Sequence, residues 1–263
     1  MERVAIGDLT IAFERRGTGQ PLVLLHGGLS DHREWRPQVE ELSDVFTVIA
    51  WDAPGCGDST DPPATFRMPH YADTLAAFLD GLDLVRPHVL GLSWGSTLAL
   101  ELYRRHPGIP RTLVLASAYA GWAGSLPAPE VDERLRETLE ALSHPPESLA
   151  RSLASSLFTE RAPTATVDEA VRVMAGFRPS GAEPMLHAMA EADLRDVLPS
   201  IAVPTLLLYG EDDERSPIAV AHEMLGAIPG STLVMLPAAG HQNNLEAADR
   251  FNEVVRDFLT GRL

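Results

Sequence analysis

The stretch that decides the fold is GLSWGS, residues 91–96, where an apolar run turns into a helical pattern. The residues before it, HVLGL (88–92), are typical of a buried strand, and WGSTLALELYRR (94–105) is typical of a helix. A residue on so sharp a turn takes strained backbone angles, and strand and helix pass so close that side chains two positions away would collide. Glycine at 91 and 95 removes that collision. The spacing therefore predicts that Ser93 projects its hydroxyl into the open.

Strand and helix patterns alternate on both sides of this turn. The helical patterns at 71–84, 94–105 and 246–259 each place apolar residues on one face. Most of the strand patterns are continuous apolar runs, which favour strands buried on both faces of a parallel sheet. The alternation predicts an α/β fold with a mostly parallel, doubly wound sheet. The remaining strand patterns are LTIAFERRG (9–17, an edge hairpin strand), PLVLLHGG (21–28), FTVIAWD (46–52), TLVLAS (112–117), TLLLYG (205–210) and STLVML (231–236).

One long interval breaks the alternation. Between TLVLASA (112–118) and VPTLLLYG (203–210) lie about 80 residues without a strand pattern. An insertion of this size is more typical of a helical cap than of a loop. We therefore predict a core domain formed by 1–119 and 199–263, with residues 120–198 as an inserted helical cap. Its amphipathic segments are EVDERLRETLEAL (130–142), ESLARSLASSLF (147–158), TVDEAVRVMAGF (166–177) and EPMLHAMAEADL (183–194).

Composition and net charge limit the classes of partner that this chain of 263 residues is expected to bind. The net charge is −16, and all 21 basic residues are arginine with no basic stripe, which argues against nucleic acid and anionic membranes. Cys56 is the single cysteine, so no intrachain disulfide can form, and we interpret it as a small filler. Without a signal-peptide pattern or an apolar run approaching about 20 residues, we predict a soluble, cytoplasmic protein. The sequence leaves open whether the protein forms a homo-oligomer.

A serine hydroxyl is a weak nucleophile and needs a base, which in turn needs an orienting acid. In a strand-turn-helix setting of this kind the partners follow in the order serine, acid, histidine. His241 follows a predicted strand in GHQNNLE (240–246), and Glu211, Asp212 and Asp213 follow another. We prefer Asp213 as the acid and leave Asp212 open. The other histidines lie mostly in turns or on predicted helix faces: His26, His32, His70, His88, His106, His144, His187 and His222.

A developing oxyanion needs donors that are fixed before the charge appears. One donor is expected from the N–H of Trp94, directly after the serine at the start of a helix. The second is expected from Gly28, because glycine in HGG (26–28) lets the backbone approach a ligand closely. The sequence thus predicts an oxyanion hole formed by Gly28 and Trp94.

The motifs HGG (26–28), DAPGCGDS (52–59), GLSWGS (91–96), GEDD (210–213) and GHQNNLE (240–246) together resemble the α/β-hydrolase superfamily. The resemblance implies an eight-stranded, mostly parallel sheet with helices on both faces and an inserted cap. It implies Ser93 as nucleophile, Asp213 as acid and His241 as base, with no metal and no organic cofactor. Serine at the nucleophile position argues against haloalkane dehalogenases and epoxide hydrolases. Some members place the acid after the sixth strand, but LASAYAG (115–121) has no carboxylate there.

The hypothesis that follows is an esterase or lactonase acting on a small molecule through an acyl-enzyme on Ser93. A receptor that turns its ligand over slowly, and a carbon–carbon bond hydrolase or perhydrolase, use the same triad and stay open as alternatives. Apolar side chains between core and cap would suit a hydrophobic acyl or lactone group. The candidate pocket residues are Leu29, Trp122, Leu126, Phe177, Met185 and Met189.

Overall fold

The computed structural model describes residues 1–263, and at its centre lies one sheet of eight strands. The strands are β1 (Glu2–Ile6), β2 (Leu9–Arg16), β3 (Gln20–Leu25), β4 (Phe46–Trp51), β5 (His88–Leu92), β6 (Thr112–Ala116), β7 (Thr205–Gly210) and β8 (Thr232–Leu236). They pair in the order β1-β2-β4-β3-β5-β6-β7-β8. Only β1–β2 and β2–β4 are antiparallel, and every other neighbouring pair is parallel. The predicted mostly parallel α/β-hydrolase sheet is confirmed.

Ten α-helices accompany the sheet. None of the ten combines the length and the apolar character that a membrane-crossing helix needs. Their bounds are α1 (Arg36–Leu42), α2 (Met68–Gly81), α3 (Trp94–Arg105), α4 (Ala128–Ala141), α5 (Pro146–Leu157), α6 (Thr164–Met174), α7 (Pro179–Glu191), α8 (Ile218–Ala227), α9 (Asn243–Glu246) and α10 (Ala248–Leu259).

Four elements lack a counterpart among the sequence patterns. One of them is α9, a helix of four residues that precedes the predicted final helix. Strand β1 has five residues and no fully buried side chain, so the sequence carries no apolar alternation there. Helix α1 has seven residues and starts within a proline-containing stretch. Helix α8 is apolar almost throughout, and an evenly apolar segment shows no helical period.

The core lies on both faces of the sheet because successive strand residues point to opposite sides. On β3, Leu22 and Leu24 belong to one apolar cluster, together with Phe251 of α10. Val23 and Leu25 point the other way, into a larger cluster that includes α2 and α3. Near-complete burial of both sets explains why the central strands are continuous apolar runs.

Helices α4–α7 occupy the whole interval between β6 and β7, where we predict the cap. Treating residues 120–198 as a separate domain stays a prediction. Helix α7 begins against the loop after β4, where Gly55 and Gly181 approach so closely that a Cβ on either would meet the other's backbone. Beside this contact, the Arg178 guanidinium donates to the carbonyls of Gly57 (2.6 Å) and Ser59 (2.8 Å). The α7 end of the insertion is therefore fastened directly to the sheet domain.

A buried histidine at the start of β5 makes the stability of this core sensitive to acid. The His88 ring lies 2.8 Å from the Thr112 hydroxyl and edge-on to Phe46, and burial lowers its pKa to about 4, with the charge of Arg111 adding to the effect. A histidine in the unfolded chain has a pKa of about 6.5. Between these two values the unfolded chain binds more protons, so acidification favours unfolding.

We expect the free energy of unfolding to fall as the pH drops from about 6.5 to about 4, and His88→Gln to remove part of this fall because glutamine gains no charge. Urea unfolding of both proteins at several pH values in this range measures the effect. Two stability curves that stay parallel throughout would contradict the assignment to His88.

Candidate active site

Ser93 stands at the turn between β5 and α3 in a strained conformation. Its φ of 53° and ψ of −112° lie in a region that residues other than glycine rarely adopt. Its backbone N–H donates to the carbonyl of Ala116 at the end of β6, at 2.9 Å. The Ser93 side chain is half-buried.

The two flanking glycines are needed because three backbone segments meet here. A Cβ on Gly91 would overlap the backbone of Gly95, the second residue of α3. A Cβ on Gly95 would overlap the carbonyl of Leu25, at the end of β3. Glycine at both places lets the helix start directly on the ends of two adjacent strands.

His241 lies in the loop between β8 and α9, and its ring contacts the carboxylate of Asp213, which follows β7. Nδ1 is 3.1 Å from Oδ1 and 3.0 Å from Oδ2, and both side chains are buried. A carboxylate only accepts hydrogen bonds, so Nδ1–H is the donor and Nε2 of the neutral ring carries the free lone pair. Ser93 and His241 line one cavity, although no hydrogen bond joins the Ser93 hydroxyl to the ring.

Asp213 is held in its ionised form. Burial alone would raise the pKa of this carboxyl, but the nearby His241 ring, together with hydrogen bonds, lowers it below its usual value. The bonds include the backbone N–H groups of Arg215 (2.9 Å) and Ser216 (2.8 Å), both to Oδ1. The negative charge behind the imidazole is therefore fixed in place.

The two neighbouring carboxylates do not reach the histidine. Asp212 is exposed and forms an ion pair with Arg161. Glu211 is also exposed. The geometry thus favours Asp213 over the alternative, Asp212, that the sequence leaves open.

The predicted oxyanion donors lie side by side. A Cβ built on Gly28 would be 3.8 Å from Cβ of Trp94, and both residues line the cavity with Ser93. Trp94 is the first residue of α3, where helix N–H groups have no partner within the helix. The Gly28 N–H also has no acceptor in the protein. Two N–H groups are thereby free to donate hydrogen bonds to a negatively charged oxygen.

A buried glutamate that the sequence analysis missed connects the oxyanion loop to the histidine loop. Oε2 of Glu34 accepts the N–H of Gly27 at 2.7 Å, and Oε1 accepts Nε2 of Gln242 at 2.9 Å. Burial raises the pKa of Glu34, while His26 and the hydrogen bonds oppose the rise. In the sequence DHREW (31–35), Glu34 looks like a solvent-exposed residue at the start of a helix, so the sequence gives no sign that it is buried.

A second support missed from the sequence is a pair of polar side chains behind His241. The Ser117 hydroxyl donates to the His241 carbonyl at 3.0 Å, and Nδ2 of Asn243 donates to the Ser117 hydroxyl at 2.9 Å. Ser117, with a φ of 44°, directly follows β6. The one signal in the sequence was the pair of asparagines after GHQ, Asn243 and Asn244. Both are fully buried, and a buried asparagine needs hydrogen-bond partners nearby.

The cavity that contains Ser93 is small, with a volume of about 60 Å³. Of the predicted pocket residues, Leu29, Trp122, Met185 and Met189 line it, whereas Leu126 and Phe177 do not. Phe177 lines a minor neighbouring cavity instead, and Leu126 packs against the core. The remaining lining residues are Gly27, Tyr119, Thr138, Leu153, Leu157, Leu186, Arg215 and Gln242.

Two other features of the molecule resemble binding sites. A larger cavity of about 520 Å³ between α1 and α6 shares Gln242 with the Ser93 cavity, but no histidine lines it. Asp31, His32 and Asp52 bring possible metal-ligand atoms within 4.8 Å of one another. His32 and Asp52 are already hydrogen-bonded to each other at 2.7 Å, and Asp31 binds Arg33. We assign neither of them a chemical role.

The chain is similar to known hydrolases over nearly its full length. A sequence profile described as alpha/beta hydrolase family matches residues 22–254. A putative carbamate hydrolase, RutD of Caulobacter sp. (strain K31), is 30% identical over 91% of this chain and 90% of its own. A thermophilic esterase from Thermogutta terrifontis, solved with malate bound, is 30% identical with a TM-score of 0.92, covering 100% of this chain and 99% of its own. The enol-lactonase of Burkholderia xenovorans is 27% identical with a TM-score of 0.90, covering 98% and 100%.

We expect Glu34→Ala to lower the free energy of unfolding by about 1–3 kcal/mol, because the Gly27 N–H and the Gln242 amide would be left buried without an acceptor. Urea unfolding at neutral pH measures the change. Glu40→Ala is the matched control, since that carboxylate lies on the exposed side of α1 and pairs only with Arg36. Equal stability of the two variants would show that Glu34 does not hold the loops.

Proposed function

Since the chain belongs to the alpha/beta hydrolase family, we propose that it is a serine hydrolase that cleaves a carboxylic ester or lactone through an acyl-enzyme on Ser93. The observation that carries the proposal is the His241 ring, bound by Asp213 through Nδ1 and sharing one cavity with Ser93. The similarity to an esterase and an enol-lactonase supports the same bond type.

In the first half of the reaction the Ser93 hydroxyl attacks the carbonyl carbon while Nε2 of His241 takes its proton. The negative charge that develops on the carbonyl oxygen is stabilised by the N–H groups of Gly28 and Trp94, helped by the positive end of α3. Asp213 keeps the imidazole in the correct tautomer and stabilises its positive charge. The intermediate collapses when Nε2 gives its proton to the departing alkoxide.

In the second half, water enters the site and Nε2 of His241 removes its proton. The resulting hydroxide attacks the acyl carbon, and the same two N–H groups hold the second oxyanion. Collapse returns the proton to Ser93 and releases the carboxylic acid. No step calls for a group beyond the side chains and backbone donors of this chain.

The cavity volume supports a short acyl group. The cavity beside Ser93 is small, about 60 Å³, and the surrounding Trp122, Met185 and Met189 are apolar. We therefore place small esters and small lactones ahead of long-chain esters as substrates.

A second candidate reaction is hydrolysis of a carbamate, favoured by the 30% identity to a putative carbamate hydrolase. The triad would attack the carbamate carbonyl in the same way. A panel of small esters, lactones and carbamates separates the two by kcat/KM. A receptor built on the same triad would differ from both in binding its ligand tightly and turning it over very slowly.

We expect Ser93→Ala to lower kcat for 4-nitrophenyl acetate by at least about a thousandfold, because the variant lacks the nucleophile. Nitrophenolate release measures it, and an unchanged melting temperature shows that the variant is folded. Mass spectrometry of the wild type treated with diisopropyl fluorophosphate is expected to find the adduct on Ser93. Hydrolysis by Ser93→Ala at the wild-type rate would refute the proposal.

The adjacent aspartates form a matched pair for testing the acid. We expect Asp213→Asn to lower kcat by about ten-thousandfold, because an amide no longer stabilises the imidazolium or fixes its tautomer. Asp212→Asn, at an exposed ion pair, is expected to leave kcat nearly unchanged. The reverse ranking would assign the acid to Asp212.

A further inference from the structure

Arg215 is the one permanently charged side chain that lines the Ser93 cavity. The other polar side chains there are those of Ser93, Tyr119, Thr138, His241 and Gln242, and the rest of the lining is glycine or apolar. Asp213 stands behind the His241 ring and does not line the cavity. Arg215 is therefore the only lining residue that carries a permanent charge, and no carboxylate lines the cavity with it.

The lack of an acidic partner sets Arg215 apart from the other arginines. All but Arg16, Arg86, Arg111 and Arg215 have a carboxylate oxygen within 4.0 Å. Arg16, Arg86 and Arg111 are exposed to solvent, whereas Arg215 is half-buried. In a chain with 37 acidic and 21 basic residues, an unpaired guanidinium inside the structure is unexpected.

The base of this side chain is rigid while its end is free. The Arg215 N–H donates to Asp213, and its carbonyl accepts from the Tyr119 hydroxyl. The guanidinium itself makes only one side-chain hydrogen bond, from Nη1 to the Ser156 hydroxyl at a long 3.4 Å. Most of its five N–H donors are therefore available to a ligand.

The electrostatics favour an anion at this position. Burial lowers the pKa of Arg215 and the charge of Arg134 adds to the effect, while Tyr119 and the Asp213 carboxylate oppose it. The net shift is downward, so the cation is held at a cost in free energy. A carboxylate would relieve that cost, and its two oxygens match the planar fork of a guanidinium. Arg134 itself is already paired with Glu130 at 2.7 Å, so it does not compete for the anion.

We propose that Arg215 binds a carboxylate of the substrate, so that the protein hydrolyses esters or lactones that carry a free carboxylate group. The inference rests on the proposed function of Ser93. Because Arg215 and Ser93 line the same cavity of about 60 Å³, the carboxylate and the scissile carbonyl belong to one small molecule. Half-esters of short dicarboxylic acids and small lactone acids have this form. Arg215 is thus a determinant of specificity.

The test compares ester pairs that differ only in charge. On the acyl side the pair is 4-nitrophenyl hydrogen glutarate and 4-nitrophenyl methyl glutarate. On the alcohol side it is 3-carboxyphenyl butyrate and 3-(methoxycarbonyl)phenyl butyrate. The quantity is the ratio of kcat/KM for the acid over its methyl-capped partner, with hydrolysis in the presence of Ser93→Ala subtracted. Because the ratio compares two substrates of one protein, a general loss of activity in a variant cancels.

We expect the wild-type ratio to exceed about ten for at least one pair. The net charge of −16 repels the acid form of each substrate, so a ratio of this size requires a local cation. Arg215→Gln is expected to lower that ratio by about ten- to a hundredfold, and Arg215→Lys to give an intermediate value because lysine keeps the charge without the fork. Arg161→Gln is the matched control, since it removes an equal charge from an exposed ion pair nearby and is expected to keep the wild-type ratio.

Wild-type ratios of one or less for both pairs, or equal ratios in the wild type and Arg215→Gln, would overturn the inference while leaving Ser93 hydrolysis intact. Absence of hydrolysis for every ester would overturn the proposed function itself, so the two failures are distinguishable. Should Arg215→Gln not fold, inhibition of the wild type provides the same contrast. Competitive inhibition by glutarate but not by glutaramide supports the inference, and equal inhibition by both contradicts it.

Discussion

The site depends on the close approach of three backbone segments around Ser93. Helix α3 starts on the ends of β3 and β5, at a distance that only glycine at 91 and 95 permits. The same approach holds Ser93 at a positive φ, a conformation that would relax if the helix could move away. Burial of Leu98 and its neighbours on the sheet keeps the helix where it is. Packing of the core thus maintains the strain that presents the hydroxyl.

Buried hydrogen bonds then hold the other loops of the site in position relative to Ser93. Glu34 holds the loop after β3 and the loop after β8 at the same time, through Gly27 and Gln242. The Ser117 hydroxyl, directly after β6, holds the His241 carbonyl through a hydrogen bond. The loop that carries the proposed donor Gly28 and the loop that carries the proposed base therefore belong to one hydrogen-bonded unit, and a shift of one loop would be transmitted to the other.

The sequence predicts most of the features that depend on local sterics and chain order. Gly91 and Gly95 indicate the sharp turn. His241 stands out as the candidate base because it follows a strand and precedes a helix. The sheet was predictable from its continuous apolar runs and from the alternation in β2, except for β1, which is too short and exposed to show a pattern. The prediction that β2 is an edge strand was wrong, because β1 pairs with its outer side. Glu34 was not predictable, because its partner Gln242 is 208 positions away and a glutamate in a polar stretch looks solvated. The same limit applies to Leu126 and Phe177, since which apolar residues of a helical insertion reach a cavity depends on tertiary packing.

The fastening of α7 to the loop after β4 has a practical consequence for observing motion. Cys56, the single thiol of the chain, lies beside the Gly55–Gly181 contact, is 6% exposed, and lines a minor cavity with Phe177 and Ala182 of the insertion. Because the sulfur is buried, a maleimide dye reaches it only after the structure opens locally at this contact. The rate of labelling therefore reports how often this contact opens, with no engineered cysteine and no background from a second one.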